Sequence, residues 1–118
     1  MKVLVIDDEA VIRRSIQRAG EKKGHEVYLA ENGSEGLAIW SKANPDVVFL
    51  DVLMPGLTGP DVLKQRDPNS KAKVVLISAY TGEYNLERAQ EHGADLFIGK
   101  PFADIFAVIQ QAEDLVGK

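Results

Sequence analysis

Cysteine is absent from this 118-residue chain, so it has neither a disulfide framework nor a thiolate to bind metal or act as a nucleophile. That absence suits a cytoplasmic protein. No apolar run approaches the roughly 20 residues a membrane span needs, and membrane insertion is not expected. The opening residues, "MKVLVIDDEA", lack the longer apolar stretch and small-residue cleavage site of a signal peptide, so they are expected to belong to the fold. Basic residues are scattered, and the formal net charge is −4. Direct nucleic-acid binding is therefore not expected, because counterion release needs clustered lysine and arginine. Repeats, linkers and low-complexity tracts are also missing, and the length fits one domain over residues 1–118.

What is present is an alternation of two patterns. "KVLVI" at 2–6, "VVFL" at 47–50 and "VVLI" at 74–77 are continuous aliphatic or β-branched runs, as in strands buried on both faces. "EVYLA" and "DLFIG" are more mixed. Between them, Ile12, Ile16 and Ala19, then Leu37 and Trp40, then Ile105, Ile109, Ala112 and Val116 recur at helical spacing. Asn44-Pro45 ends the second helix, Gly59-Pro60 opens the third and Gly93 closes the fourth. Five strands alternating with five helices predict an α/β fold, a parallel sheet covered on both faces.

Four of the five strands deliver chemically useful residues at their carboxyl ends: Asp7-Asp8, Asp51, Ser78 and Lys100-Pro101. In open sheets of this kind ligands bind at that edge, where the strand order reverses. With an order of 2-1-3-4-5, strands one and three are neighbours about 4.8 Å apart, and Asp51 stands beside Asp7 and Asp8. Three carboxylates in one pocket repel each other unless a hard cation with oxygen ligands sits among them, and Mg²⁺ suits that role best. Ser78 would flank Asp51 on one side. Lys100, two strands away, could bring its ammonium near anything bonded to Asp51. Metal, hydroxyl and ammonium around a central carboxylate form a clamp for phosphorylating Asp51.

These residues resemble the receiver domains of two-component response regulators. "VLVIDDE", "PDVVFLDVLMPGLTG", "VVLISA" and "GADLFIGKPF" occur in order at that family's spacing, from Lys2 to about Val116. The resemblance implies a flavodoxin-like, doubly wound five-stranded sheet of order 2-1-3-4-5. It makes Asp51 the phosphoacceptor and gives Asp7, Asp8, Asp51 and the backbone carbonyl of Leu53 to Mg²⁺. It also makes Ser78 the switch hydroxyl, Phe97 the switch aromatic and Lys100 the phosphoryl partner, before a cis Pro101. The implied partners are a sensor histidine kinase or phosphotransfer protein and a downstream protein or covalently attached output domain. The face of helix four, strand five and helix five is expected to change. Leu53 and Tyr80, two places beyond Asp51 and Ser78, would flank the approach of water and prolong the phosphoryl group's lifetime.

Two departures stand out. Serine replaces the family's more usual threonine at position 78, and "GPDVLKQRDPNSKAK" looks short for helix three and its loop, so a trimmed or frayed helix is expected. The competing functions are a haloacid-dehalogenase-type phosphatase, a degenerate receiver that only binds partners, and a mononucleotide or flavin binder. The phosphatases carry D-x-D where this chain has "DDE"; the complete acidic, hydroxyl and lysine set argues against degeneracy; no glycine-rich loop follows strand one. A phosphoacceptor that assists its own transfer, rather than an enzyme, is the preferred reading. Blander roles are also assigned: Asp8 as the cap of helix one, His25 and His92 beside helix ends, and Trp40 in the core.

Overall fold

The computed structural model describes residues 1–79 and 85–117. Its sheet runs in the order β2-β1-β3-β4-β5, all parallel. The strands are β1 (Lys2–Ile6), β2 (Glu26–Ala30), β3 (Val47–Asp51), β4 (Lys73–Ser78) and β5 (Leu96–Gly99). The helices are α1 (Ala10–Lys22), α2 (Gly33–Ala43), α3 (Gly59–Gln65), α4 (Leu86–Glu91) and α5 (Ile105–Val116). This is the expected doubly wound arrangement. The third helix is trimmed, with seven residues.

The two-residue repeat of a strand explains the two layers of core. Val3 and Val5, Val47 and Phe49, and Val75 and Ile77 pack with Ile16 and Ala19 of α1 and Val108, Ile109 and Ala112 of α5. Leu4 and Ile6, Val48 and Leu50, and Val74 and Leu76 pack on the other face with Trp40 of α2, Val62 and Leu63 of α3 and Ala89 of α4. Every residue of these three central runs is fully buried, which is why they contain almost no polar residue until their ends. Trp40 belongs to this core, and its indole N–H donates to Ser70 Oγ at 3.0 Å.

Local signals set the ends of the helices. Asn32 caps α2 by accepting from the Glu35 N–H, and Asn44 stops it in the left-handed conformation. Thr58 and Asp61 form a reciprocal capping box that starts α3. Asp104 starts α5, accepting from the N–H groups of Phe106 and Ala107. Helix α1 differs: its cap is Glu9 rather than Asp8, and the Glu9 side chain makes no capping bond.

Candidate functional site

The same repeat that builds the core aims the site. Beyond Val3 and Val5 comes Asp7; beyond Val47 and Phe49 comes Asp51; beyond Leu96 and Ile98 comes Lys100. The β1–β3 register pairs Val3 with Val47 and Val5 with Phe49, which brings Asp7 level with Asp51. All three side chains thus emerge on the α1–α5 side, and they meet. Lys100 Nζ donates to Glu9 Oε1 at 2.7 Å, Asp7 Oδ2 at 3.0 Å and Asp51 Oδ2 at 3.5 Å. Asp7 is fully buried and Asp51 is 3% exposed, so the strands carry two carboxylates into a place where water cannot screen them.

The loop after β3 holds Asp51 in place. The Val52 N–H donates to Ile77 O, Val52 and Met54 are buried, and the Leu53 N–H reaches Asp51 Oδ1 at 3.4 Å. The loop then returns so closely that a Cβ on Gly59 would lie 2.7 Å from the Asp51 carbonyl oxygen. Only glycine fits there without moving the backbone of the site. Leu53 itself is 58% exposed at the rim. Tyr80, its expected counterpart, lies outside the described residues.

Electrostatics record the crowding. Burial, and then the Asp7 carboxylate, push the Asp51 pKa up to about 7 against the pull of Lys100 and the Leu53 N–H. Burial also raises Asp7, opposed by the Glu9 N–H and by Lys100. For Lys100, burial works downward, but the bonds to Glu9 and Asp7 and the charge of Asp51 outweigh it and carry the ammonium up to about 12. A single cation thus serves several carboxylates.

The donor set fits a hard cation. Asp7, Asp8, Glu9 and Asp51 each offer a carboxylate oxygen, and these atoms lie within 4.8 Å of one another. Such a group of oxygens, still net negative after Lys100 is counted, suits a divalent ion that keeps several waters. Sequence reasoning missed Glu9, although it is the third letter of "DDE". Nothing local to Glu9 points to a partner 91 residues away.

Ser78 and Phe97 lie on the opposite face of the sheet. Ser78 is buried at the end of β4, where its carbonyl accepts from the Lys100 N–H at 2.8 Å. Phe97, paired with Leu76, packs partly buried against the core beneath α2, α3 and α4. The Lys100–Pro101 peptide is cis. Of the two histidines placed beside helix ends, one departs from that role. His25 contacts Glu113 of α5 and the Met1 amino group, whereas His92 does occupy the end of α4.

Comparison with known proteins agrees with this geometry. The family model for the response regulator receiver domain matches residues 3–110. The transcriptional regulatory protein ResD of Bacillus subtilis is 37% identical over 102 residues, 86% of this chain and 42% of its own length. A probable transcriptional regulator, ycf27 of Porphyra purpurea, is 36% identical over 120 residues, 97% of this chain and 49% of its own. The chain therefore spans less than half the length of these curated relatives. Among solved structures, the Francisella response regulator 1452 receiver domain superposes with a TM-score of 0.88 at 32% identity, covering 98% of this chain and 96% of that one. Vibrio cholerae chemotaxis protein CheY4 gives 0.85 at 28% identity, covering 96% of both chains. The chain belongs to the response regulator receiver domain family.

Proposed function

We propose that this receiver accepts a phosphoryl group on Asp51, from the phosphohistidine of a sensor kinase or phosphotransfer protein, and passes the signal to a downstream protein or attached output domain. The observation that carries it is Asp51 itself, a buried carboxylate level with Asp7 and within 3.5 Å of the Lys100 ammonium. An Asp51 oxygen attacks phosphorus, the bond from phosphorus to the donor nitrogen breaks, and its electron pair returns to the imidazole. Asp7, Asp8, Asp51 and the Leu53 carbonyl would hold Mg²⁺, which would offset the carboxylate charge and take phosphoryl oxygens as ligands. Lys100 would neutralise the remaining oxygens. Catalysis of this kind is positioning and charge stabilisation. We regard the domain as a phosphoacceptor rather than a turnover enzyme.

Ser78 would bond a phosphoryl oxygen, and Phe97 would turn further into the core. Both lie on the α4 side, so the face formed by α4, β5 and α5 would read the change. The donor would dock elsewhere. An apolar groove lined by Val11, Ile12, Phe102, Ile105 and Phe106 runs between α1 and α5. Its two walls begin at the loops that carry Glu9 and Lys100, so a donor seated there would lie beside the mouth of the site that holds Asp51.

Intact-mass spectrometry tests the assignment. Acetyl phosphate should add one phosphoryl group in Mg²⁺ and none in excess EDTA or in Asp51→Asn. An adduct that survives either condition would overturn it. Val11→Asp should slow labelling by a phosphohistidine protein about tenfold, leaving labelling by acetyl phosphate unchanged. Equal slowing of both would remove the docking role from the groove.

A further inference from the structure

One carboxylate of the site has no part in the transfer just described. Glu9 sits at the cap position of α1 without capping it, and its Oε1 accepts from Lys100 Nζ at 2.7 Å. That is the shortest of the three contacts the ammonium makes. The Glu9 side chain is 57% exposed, the Lys100 side chain 5%. Glu9 is thus the outermost partner and draws the ammonium toward the mouth of the site, leaving Asp51 the most distant of the three. An ammonium has three N–H donors, and here each faces a different carboxylate. A phosphoryl group arriving on Asp51 finds them taken.

We propose that Glu9 is a positioning residue that holds Lys100 on the α1 side of the resting site and competes with the phosphoryl group on Asp51 for the ammonium. The inference rests on the phosphoacceptor reading. With Asp7 among the residues that would hold the metal and Asp51 as the residue that would carry the phosphoryl group, Glu9 is the partner Lys100 would have to leave. A half-exposed ion pair is weak, and the competition amounts to about threefold to fivefold in affinity rather than orders of magnitude.

Beryllofluoride, a phosphoryl mimic, separates the possibilities. It is titrated at saturating Mg²⁺ into the wild type, Glu9→Gln and Glu9→Asp, and binding is followed by amide shifts. Glutamine removes the charge, whereas aspartate keeps the charge on a side chain one methylene shorter. Competition for Lys100 predicts tighter binding in both variants, by about threefold to fivefold for Glu9→Gln. A purely structural change at the start of α1 moves thermal stability and leaves this affinity alone. If Glu9→Asp binds like the wild type while only Glu9→Gln tightens, the field of the charge is responsible and the proposal fails. Unchanged or weaker binding in both variants also overturns it. So does a tenfold loss of Mg²⁺ affinity in Glu9→Gln without beryllofluoride, which would make Glu9 a metal ligand. A wild type that binds no beryllofluoride at all would overturn the phosphoacceptor reading together with this one.

Discussion

The two edges of the sheet carry the same kinds of charged residue and treat them in opposite ways. At the edge where the strands begin, each acid has its own donor. Asp46 accepts from the Lys2 N–H at 2.7 Å, Asp95 from the Val74 N–H at 2.8 Å, and Glu113 meets Lys23 at 2.8 Å as well as His25. At the edge where the strands end, Asp7, Glu9 and Asp51 share Lys100. The pKa shifts follow: Lys23 and His25 lower Glu113, whereas burial raises Asp7 and Asp51. The first edge is arranged for stability. The second gathers carboxylates in a place that opposes their ionisation, the kind of arrangement that marks a functional site.

Removing the shared cation should break this contrast most severely. Lys100→Met keeps much of the apolar stem and deletes the charge, leaving buried carboxylates unpaired, a change that costs about 3 kcal/mol. The pH dependence has a definite sign. Asp51 has a folded pKa of about 7, above the 3.8 of a free aspartate. Its contribution to stability is full below about pH 4 and is lost as pH rises through about 7. Without Lys100 the folded value climbs further, so the deficit should be larger at pH 8 than at pH 5, and Mg²⁺ should reduce it. Urea melts at both pH values, with and without Mg²⁺, measure this. A deficit independent of pH and metal would mean that Lys100 acts through the packing of its stem.

A smaller effect is expected at the rim. Leu53 offers no hydrogen bond to orient a water toward a phosphoryl group on Asp51, and its exposed position leaves room for a polar side chain. Leu53→Asn combined with Tyr80→Glu would supply polar groups for in-line attack. Lowering the barrier by about 1.4 kcal/mol speeds dephosphorylation about tenfold. Decay after removal of the donor, at fixed Mg²⁺, should show it. If the double variant decays no faster, the lifetime is set by the metal, Ser78 or Lys100.

How much of this was legible in the sequence depended on the range of the interaction. "VLVI" at 3–6, "VVFL" and "VVLI" are buried on both sides, so apolar composition alone marked them as central strands. Asp7, Asp51 and Lys100 stood out because each interrupts or follows such a run. The strand repeat contains more than was read from it: it places Asp7, Asp51 and Lys100 on one face and Ser78 on the other, so the clamp has two sides of different character. Long-range pairing of flexible side chains left no local trace. Asp8, read first as a metal ligand, could also have capped helix one, but the chain is still extended at Glu9 and the helix starts one residue later. His25 looked like a dipole partner for α1, but its ring turns to Glu113, 88 residues further on. The trimmed α3 was readable because its segment is short and Gly59-Pro60 marks where it starts, a start that the Thr58–Asp61 capping box also fixes.

The smallest expected effect lies at the opposite edge and has the opposite sign. Glu113 is held below the usual carboxylate range first by its hydrogen bond from Lys23 and then by His25. A depressed folded pKa stabilises above the unfolded value and is lost as pH falls through the folded one. This pair is partly exposed, with side chains 31% and 23% accessible, and such pairs contribute about 0–1 kcal/mol. Glu113→Gln should therefore lower the melting temperature at pH 7 by a few degrees at most, and the difference between the two proteins should shrink as pH falls through the depressed folded pKa of Glu113. The metal-free wild type should thus lose stability through Asp51 as pH rises from 4 to 7, and gain it through Glu113 as pH rises through the acid range. Added Mg²⁺ should suppress the first slope and leave the second, because among the described residues the carboxylates close enough to share a metal ion lie at the carboxyl-terminal edge. A Glu113→Gln deficit that stays the same across the whole acid limb of the stability curve would assign the contact to side-chain shape instead of charge, and the contrast between the two edges would then rest on Asp7 and Asp51 alone.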